Sequence, residues 1–246
     1  MLSEKLSAEI DVLQGRINQL RPFSGQNLET LKNYYRVGLT YTSNAIEGNS
    51  LTESETKVIL EDGLTIGGKP FKDHLEAVGH SDAYNYVFTL LKEKTLSEAM
   101  VKGLHKLFYN RIDAQNAGTY RKVQVLISGS KYPLPRPFDL SKLMKKFIST
   151  SEKNRTLLHP VEFAALLHKE FVFIHPFIDG NGRVGRLLMN LALLQESYML
   201  AVIPPILRAQ YISALEQAHI DDSVFSNFIG EVVRETQLDY LRLFSS

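Results

Sequence analysis

The sequence predicts a mainly α-helical fold, one helical domain with a small β-hairpin and an N-terminal helical extension. Three observations carry this. Apolar residues recur at spacings of three and four along most of the chain. The breaks between these stretches are Gly, Pro, Ser and Asn punctuation. One stretch alone, residues 123–127, has the short β-branched texture of a strand. A length of 246 residues with 44% apolar composition suits one large domain or a domain with an extension.

Each element follows from its local pattern. Leu6, Ile10, Leu13, Ile17 and Leu20 mark an amphipathic helix over residues 4–20, broken by Arg21-Pro22-Phe23-Ser24-Gly25. A second helix runs from about residue 28 to 47, and Gly48-Asn49 ends it as a left-handed cap does. Thr52 and Glu55 read as the cap and first turn of a third, to about residue 60. Residues 63–70, with three glycines and a proline, form a loop. Helices follow over 74–92 and 97–108, the latter capped by Ser97. Val123-Gln124-Val125-Leu126-Ile127, the turn Ser128-Gly129-Ser130 and a proline-rich arm to Pro137 predict a hairpin. Helices resume at 139–151, 160–173, 182–195, 208–218 and 223–243, with Pro160 at a first helical position. The boundary falls near residue 60, with the helical extension over 1–60 and the main domain over 61–246.

Bulk composition excludes several classes. Lys+Arg is 28 against Asp+Glu 27, a net charge of +1, which gives no strong nucleic-acid or anionic-membrane signal. The absence of cysteine removes disulfides, thiol catalysis and cysteine–zinc sites. Acidic residues in the first twenty positions argue against a signal peptide, and no run of eighteen apolar residues occurs, so no membrane association is expected. A cytoplasmic location follows by elimination. No internal repeat or low-complexity tract is present.

The informative run is His175-Pro176-Phe177-Ile178-Asp179-Gly180-Asn181-Gly182-Arg183-Val184-Gly185-Arg186. Pro176 ends the preceding helix. Gly180 and Gly182 let successive N–H groups face one side and open straight into a helix, which is an anion-binding arrangement. That helix is oily nearly all round, yet Arg183, Arg186 and Asn190 form one polar stripe along it. Two buried arginines need counter-charge, and a polyphosphate above the helix N-terminus would supply it. Asp179 is placed to hold Mg²⁺ beside phosphates. His175 is the residue of the run whose ordinary pKa lies close to neutral, the natural general base. Together they compose a phosphoryl- or nucleotidyl-transfer site.

The run resembles the signature H-x-F-x-(D/E)-G-N-G-R-x-x-R of Fic domains, with every defined position filled. Ser43-Asn44-Ala45-Ile46-Glu47-Gly48 resembles the (S/T)-x-x-x-E-(G/N) inhibitory motif of Fic proteins that carry an autoinhibitory helix ahead of the core. Gly118-Thr119-Tyr120-Arg121 also resembles the family, and residues 123–137, from Val123 to Pro137, lie where it has a target-docking flap. The likeness covers about residues 30–240. It implies a protein adenylyltransferase. His175 would take the proton of a Ser, Thr or Tyr hydroxyl on a target protein, and AMP would pass to that oxygen from ATP. Asp179 would hold Mg²⁺. The backbone of Gly180, Asn181 and Gly182 would cradle phosphates, with the Asn181 side chain on the α-phosphate. Arg183 would take the β-phosphate and Arg186 the γ-phosphate, Asn190 would face the nucleoside, and Phe177 would be a core anchor. Glu47, with Ser43 and Gly48 around it, would pair with Arg186 and inhibit. The flap would present an edge to an extended target segment.

Three alternatives stay open. The same site could remove AMP or transfer another phosphate-containing group, and the domain could sense nucleotide without chemistry. For Asn190 the stronger reading is a buried amide satisfied by backbone. His105 and His168 read as ordinary helix faces, and His159-Pro160 as a helix start. The target protein, the modified residue and homo-oligomer formation are not legible.

Overall fold

The computed structural model describes residues 1–20 and 24–244. Ten α-helices occupy most of them: α1 (Glu4–Leu20), α2 (Gly25–Ile46), α3 (Glu53–Asp62), α4 (Phe71–Thr89), α5 (Glu98–Tyr109), α6 (Leu140–Leu157), α7 (Pro160–Ile174), α8 (Asn181–Gln195), α9 (Arg208–Gln217) and α10 (Asp222–Phe244). The expected break at Arg21-Pro22-Phe23 lies outside the described residues. Most predicted starts and stops fall within three residues of the observed ones because the caps do the work expected of them, but α6, expected to end at residue 151, runs on to Leu157. Thr52 and Glu55 form a reciprocal capping box, Ser97 Oγ accepts from the Met100 N–H, and Gly48 is left-handed at φ +94°.

The helix α8 is the axis of the molecule. Thirteen of its residues carry side chains that are buried, Gln195 among them, besides Gly185. It packs against α7, α4, α5 and α2. A helix apolar on all sides is stable in water only when enclosed in this way. The core is continuous from Leu2 in the segment before α1 to Leu241 in α10, and Ile10 and Ile17 of α1, Leu31 of α2 and Phe171 of α7 all belong to it. α1 lies along α10, and α2 lies across α4 so that its C-terminal end meets α8.

The predicted hairpin does not form. Among the described residues there is no strand, and residues 123–136 are irregular, with a turn at 128–129 and bends on either side of it. Side chains join the two arms instead. Arg121 donates to the carbonyls of Val123 and Pro135, and the Gln124 amide donates to the carbonyl of Leu134. Pro133, Pro135 and Pro137 have no N–H to give, so none of them can donate to a ladder. No helix among the described residues is long and apolar enough to cross a membrane.

Candidate functional site

His175 closes α7. Its backbone is left-handed at φ +50°, a conformation that costs a non-glycine residue about 1–2 kcal/mol. Backbone contacts hold it there: its N–H donates to the carbonyl of Phe171 at 3.0 Å, and its own carbonyl accepts from Arg121 Nε at 2.8 Å. The ring is half-buried. Nδ1 lies 3.2 Å from the carbonyl of Val172, and because a carbonyl only accepts, Nδ1 carries the hydrogen. Nε2 is therefore the basic nitrogen. Burial pushes the imidazole below its ordinary pKa, opposed by the Val172 carbonyl and assisted by the Arg121 cation, so the ring is neutral at pH 7.

Arg121 is the unforeseen hub of this end of the molecule. It is buried, and its guanidinium donates to the carbonyls of His175, Val123 and Pro135, while its N–H donates to that of Pro176. It ties both flap arms to the turn that carries the imidazole.

The loop between α7 and α8 is fastened from within. Phe177 is fully buried and stacks face to face on His105 at 3.7 Å, as its reading as a core anchor requires. His105 accepts from the Gly118 N–H at Nδ1 and donates from Nε2 to the carbonyl of Asp179, so it is a strut of the loop and not an ordinary helix face. Asn181 is 1% exposed, and its amide bonds both the N–H and the carbonyl of Phe177 at 2.9 Å. Its side chain staples the loop, using one of its two N–H donors and one lone pair of its oxygen. Gly180 is left-handed at φ +78°, and a Cβ on it would lie 2.7 Å from the Phe108 ring.

The loop opens into the N-terminus of α8. The first bond of the helix ladder runs from Val184 N–H to the carbonyl of Gly180, so the amides of Asn181, Gly182 and Arg183 precede it. A carboxylate already sits there. A Cβ built on Gly182 would lie 2.3 Å from Glu47 Oε1. Glu47 follows the last residue of α2, and its Oε1 accepts from Arg186 Nη2 at 2.8 Å. Arg186 is 4% exposed and also donates from Nε to Ser43 Oγ, from Nη2 to the carbonyl of Ser43 and from Nη1 to Tyr211 Oη. Burial would raise the Glu47 carboxyl, but the Arg186 and Arg183 cations outweigh it and hold it below the ordinary carboxylate range. The expected Glu47–Arg186 pair with Ser43 is thus present, and left-handed Gly48 turns the chain away behind it.

Arg183 has a partner that the sequence did not reveal. Its Nη1 lies 2.8 Å from Glu76 Oε1 of α4, its Nη2 lies 3.1 Å from Asp179 Oδ1, and its guanidinium covers the Phe108 ring at 4.5 Å. Glu76 also accepts from Asn49 Nδ2. Lys72 stands 3.6 Å from Asp179 Oδ2 and 3.6 Å from Glu76 Oε1. Asn190 is buried, accepts from the Ala201 N–H at 2.8 Å and donates to its carbonyl, so the backbone reading holds and it does not face a nucleoside here.

The donor set tests the expected Mg²⁺. Among the described residues no three His, Asp or Glu groups come together to hold a metal. One half-exposed carboxylate, Asp179, faces the α8 N-terminus from beside it. That does not suffice for a resident ion. It does fit an ion that keeps its waters and arrives on a polyphosphate, which is how Mg²⁺ usually binds.

Glu47, His175 and Gly182 line a cleft of about 590 Å³ together with the flap from Ile127 to Leu134 and residues of α9, while Asp179, Arg183 and Arg186 lie outside its lining. That volume suits a small organic ligand. Glu216 of α9 clips the flap down, accepting from Ser130 Oγ at 3.0 Å and from the Lys131 N–H at 2.7 Å. Tyr132 stacks on His219, which stacks on Phe173.

Residues 95–193 match the Fic/DOC family model. The chain is 37% identical over 208 residues to a protein adenylyltransferase Fic of Drosophila grimshawi, a match covering 82% of this chain and 42% of that protein. A second relative of the same name, from Nematostella vectensis, is 38% identical over 205 residues, with 82% of this chain and 48% of that one covered. The chain therefore spans less than half the length of these curated relatives. Among solved structures, Fic-1 from C. elegans superposes with a TM-score of 0.88 at 26% identity, over 98% of this chain and 72% of that one.

Proposed function

We propose that this chain, whose residues 95–193 match the Fic/DOC family model, is a protein adenylyltransferase, moving AMP from ATP to a Ser, Thr or Tyr hydroxyl of a target protein and restrained by Glu47. One observation carries the reading. A neutral imidazole with its Nδ1 tied and its Nε2 basic opens into the same cleft as an amide-rich helix N-terminus backed by two arginines.

Each residue then has a task. The α8 amides cradle the phosphates, and the helix dipole adds to their pull. Arg183, pre-oriented by Glu76, faces the phosphate next to Asp179. Arg186 takes the terminal phosphate once Glu47 has left it. His175 Nε2 accepts the hydroxyl proton as that oxygen bonds to the α-phosphorus. The bond from the α-phosphorus to its bridging oxygen breaks, and pyrophosphate departs. Mg²⁺, when bound, would supply positive charge that offsets the phosphates, and Asp179 would hold it.

Glu47 inhibits because it is an anion seated in an anion site. Its carboxylate occupies the α8 N-terminus and the fork of Arg186 at once. The extension over residues 1–60 thereby acts as a brake on the rest of the chain. The target would lie along the flap, where Val123, Leu126 and Ile127 are exposed and the backbone of both arms is unpaired by any ladder. The test is incubation of Glu47→Gly protein with labelled ATP and Mg²⁺ beside a Glu47→Gly/His175→Ala control, with mass spectrometry for AMP adducts. Adducts that require His175 support the reading, and their absence from both samples, with candidate targets supplied, overturns it.

A further inference from the structure

The guanidinium of Arg186 has two sets of holders. Ser43 Oγ, the Ser43 carbonyl and Glu47 Oε1 all belong to the end of α2 and depart if that end moves. Among the described residues the one holder from elsewhere is Tyr211 of α9, whose hydroxyl oxygen accepts from Arg186 Nη1 at 3.2 Å.

Behind Tyr211 stands His168 of α7, fully buried, with Nε2 3.0 Å from the same hydroxyl. Burial, with Arg186 nearby, pushes this imidazole down to about 3, so the ring is neutral. Its Nδ1 has no hydrogen-bond partner. Leaving one nitrogen unsatisfied in the core is costly. The arrangement is understandable if Nε2 must be the acceptor, because the Tyr211 hydrogen then points at His168 and its lone pairs point at Arg186. Gly185 makes room for this. A Cβ there would lie 3.3 Å from His168 Cδ2 and 3.4 Å from Nε2, so a glycine between the two arginines lets the imidazole approach α8.

We propose that Tyr211 and His168 are positioning residues for Arg186: they hold its guanidinium aimed at the terminal phosphate after Glu47 and Ser43 have withdrawn. This rests on the nucleotide-binding reading above. In that released state the relay supplies the only orienting bond that the structure gives Arg186 from outside α2, among the described residues.

The experiment is titration calorimetry with Mg-ATP and with AMP, comparing Glu47→Gly with Glu47→Gly/Tyr211→Phe. Loss of one bond to a charged donor weakens Mg-ATP binding by about tenfold to a hundredfold. AMP, lacking the outer phosphates, binds both proteins alike. A purely structural role of Tyr211 would weaken both ligands together, and that result, or equal Mg-ATP affinities, overturns the inference while leaving adenylyl transfer intact. No binding of Mg-ATP by Glu47→Gly itself overturns the nucleotide reading and this inference with it. Should Tyr211→Phe fail to fold, Glu47→Gly/His168→Phe, which removes the acceptor behind the hydroxyl, is expected to show the same selective loss.

Discussion

Glu47 Oε1 stands 2.8 Å from Arg186 Nη2 and joins the C-terminal end of α2 to the N-terminal half of α8. An acid at the negative end of a helix is disfavoured by about 0.3–1 kcal/mol. Here the same carboxylate reaches the positive end of a second helix, against Gly182, and a buried guanidinium. Its poor position on α2 is offset by its good position on α8, so the contact is a latch between the two elements.

Removing the latch is the first prediction. Glu47→Gly raises AMP transfer at least tenfold, the gain expected when an interaction of about 1.4 kcal/mol no longer competes with the phosphate. The same change leaves Arg186 buried without its carboxylate, a costly condition. The variant therefore melts lower than the parent, and Mg-ATP raises its melting temperature by more than it raises the parent's. Transfer unchanged in a labelled-ATP assay would remove the case for inhibition.

The second prediction concerns pH. The imidazole of His175 lies below its ordinary value of 6.5 because burial disfavours its charged form. A base must be neutral to act, so transfer by Glu47→Gly is flat above about pH 7 and falls on the acid side with a midpoint below 6.5. The latch behaves differently. The Glu47 carboxyl is held below its ordinary 4.5 by Arg186 and Arg183. Its contribution is complete above 4.5 and is lost only as pH falls through the lower folded value. Glu47 also raises the His175 imidazole a little, so the ratio of variant to parent activity is constant where that ring is neutral in both, from about pH 7 to 9. A midpoint near 8, or a ratio that drifts across that window, would contradict these assignments.

How much of this was legible in the sequence depends on where each contact lies. The run from His175 to Arg186 was readable because base, carboxylate, glycines and arginines fall within twelve positions and their order implies their geometry. The pairing of Glu47 with Arg186 came from resemblance. Glu76, Lys72 and Tyr211 were not singled out because each lies on another element, in surroundings no different from ordinary helix sequence, and Arg121, noted only as part of a run that resembles the family, gave no sign of the carbonyls it would hold. His105 and His168 were passed over for the same reason, since a buried histidine on a helix looks alike whether it packs or orients a neighbour. The flap misled in the opposite sense. Val123 to Ile127 has strand texture, but the partner arm carries Pro133 and Pro135, and the side chains of Arg121 and Gln124 replace the ladder. The fastening of Asn181 to Phe177 was not readable, because its place in the run suggested a phosphate contact and gave no sign that its amide also staples the loop.

The third prediction follows from Arg121. Its fork reaches three carbonyls on two flap arms and the catalytic turn, and a lysine ammonium on a flexible stem cannot span them. Arg121→Lys loses about 1.5–3 kcal/mol per bond to a charged donor that is not remade, and lowers the melting temperature by about 2–4 °C per kcal/mol for a chain of this size. In the Glu47→Gly background the turnover falls further than nucleotide affinity does, because the His175 carbonyl loses its anchor while the α8 amides are untouched. Calorimetric melting and a comparison of kcat with the Kd for Mg-ATP check both halves. A variant as stable and active as its parent would show that the flap is held by other means.

The fourth prediction concerns charge beside the phosphates. Lys72 stands 3.6 Å from Asp179 Oδ2, more than half exposed, and with Arg183 it keeps that carboxyl below its ordinary range against the opposing effect of burial. An ammonium so placed competes with any divalent ion for the same oxygen. Because it faces water, its hold is worth only about 0.2–1 kcal/mol. Lys72→Ala in the Glu47→Gly background should therefore lower the Mg²⁺ concentration giving half-maximal transfer by about twofold to fivefold, without changing the plateau. Asp179→Asn should act in the opposite direction and more strongly, since it removes the anionic oxygen and not its rival. If Lys72 instead binds a phosphate directly, its loss weakens nucleotide binding at saturating Mg²⁺ and leaves the metal midpoint in place, so a Mg²⁺ titration at two ATP concentrations separates the two roles.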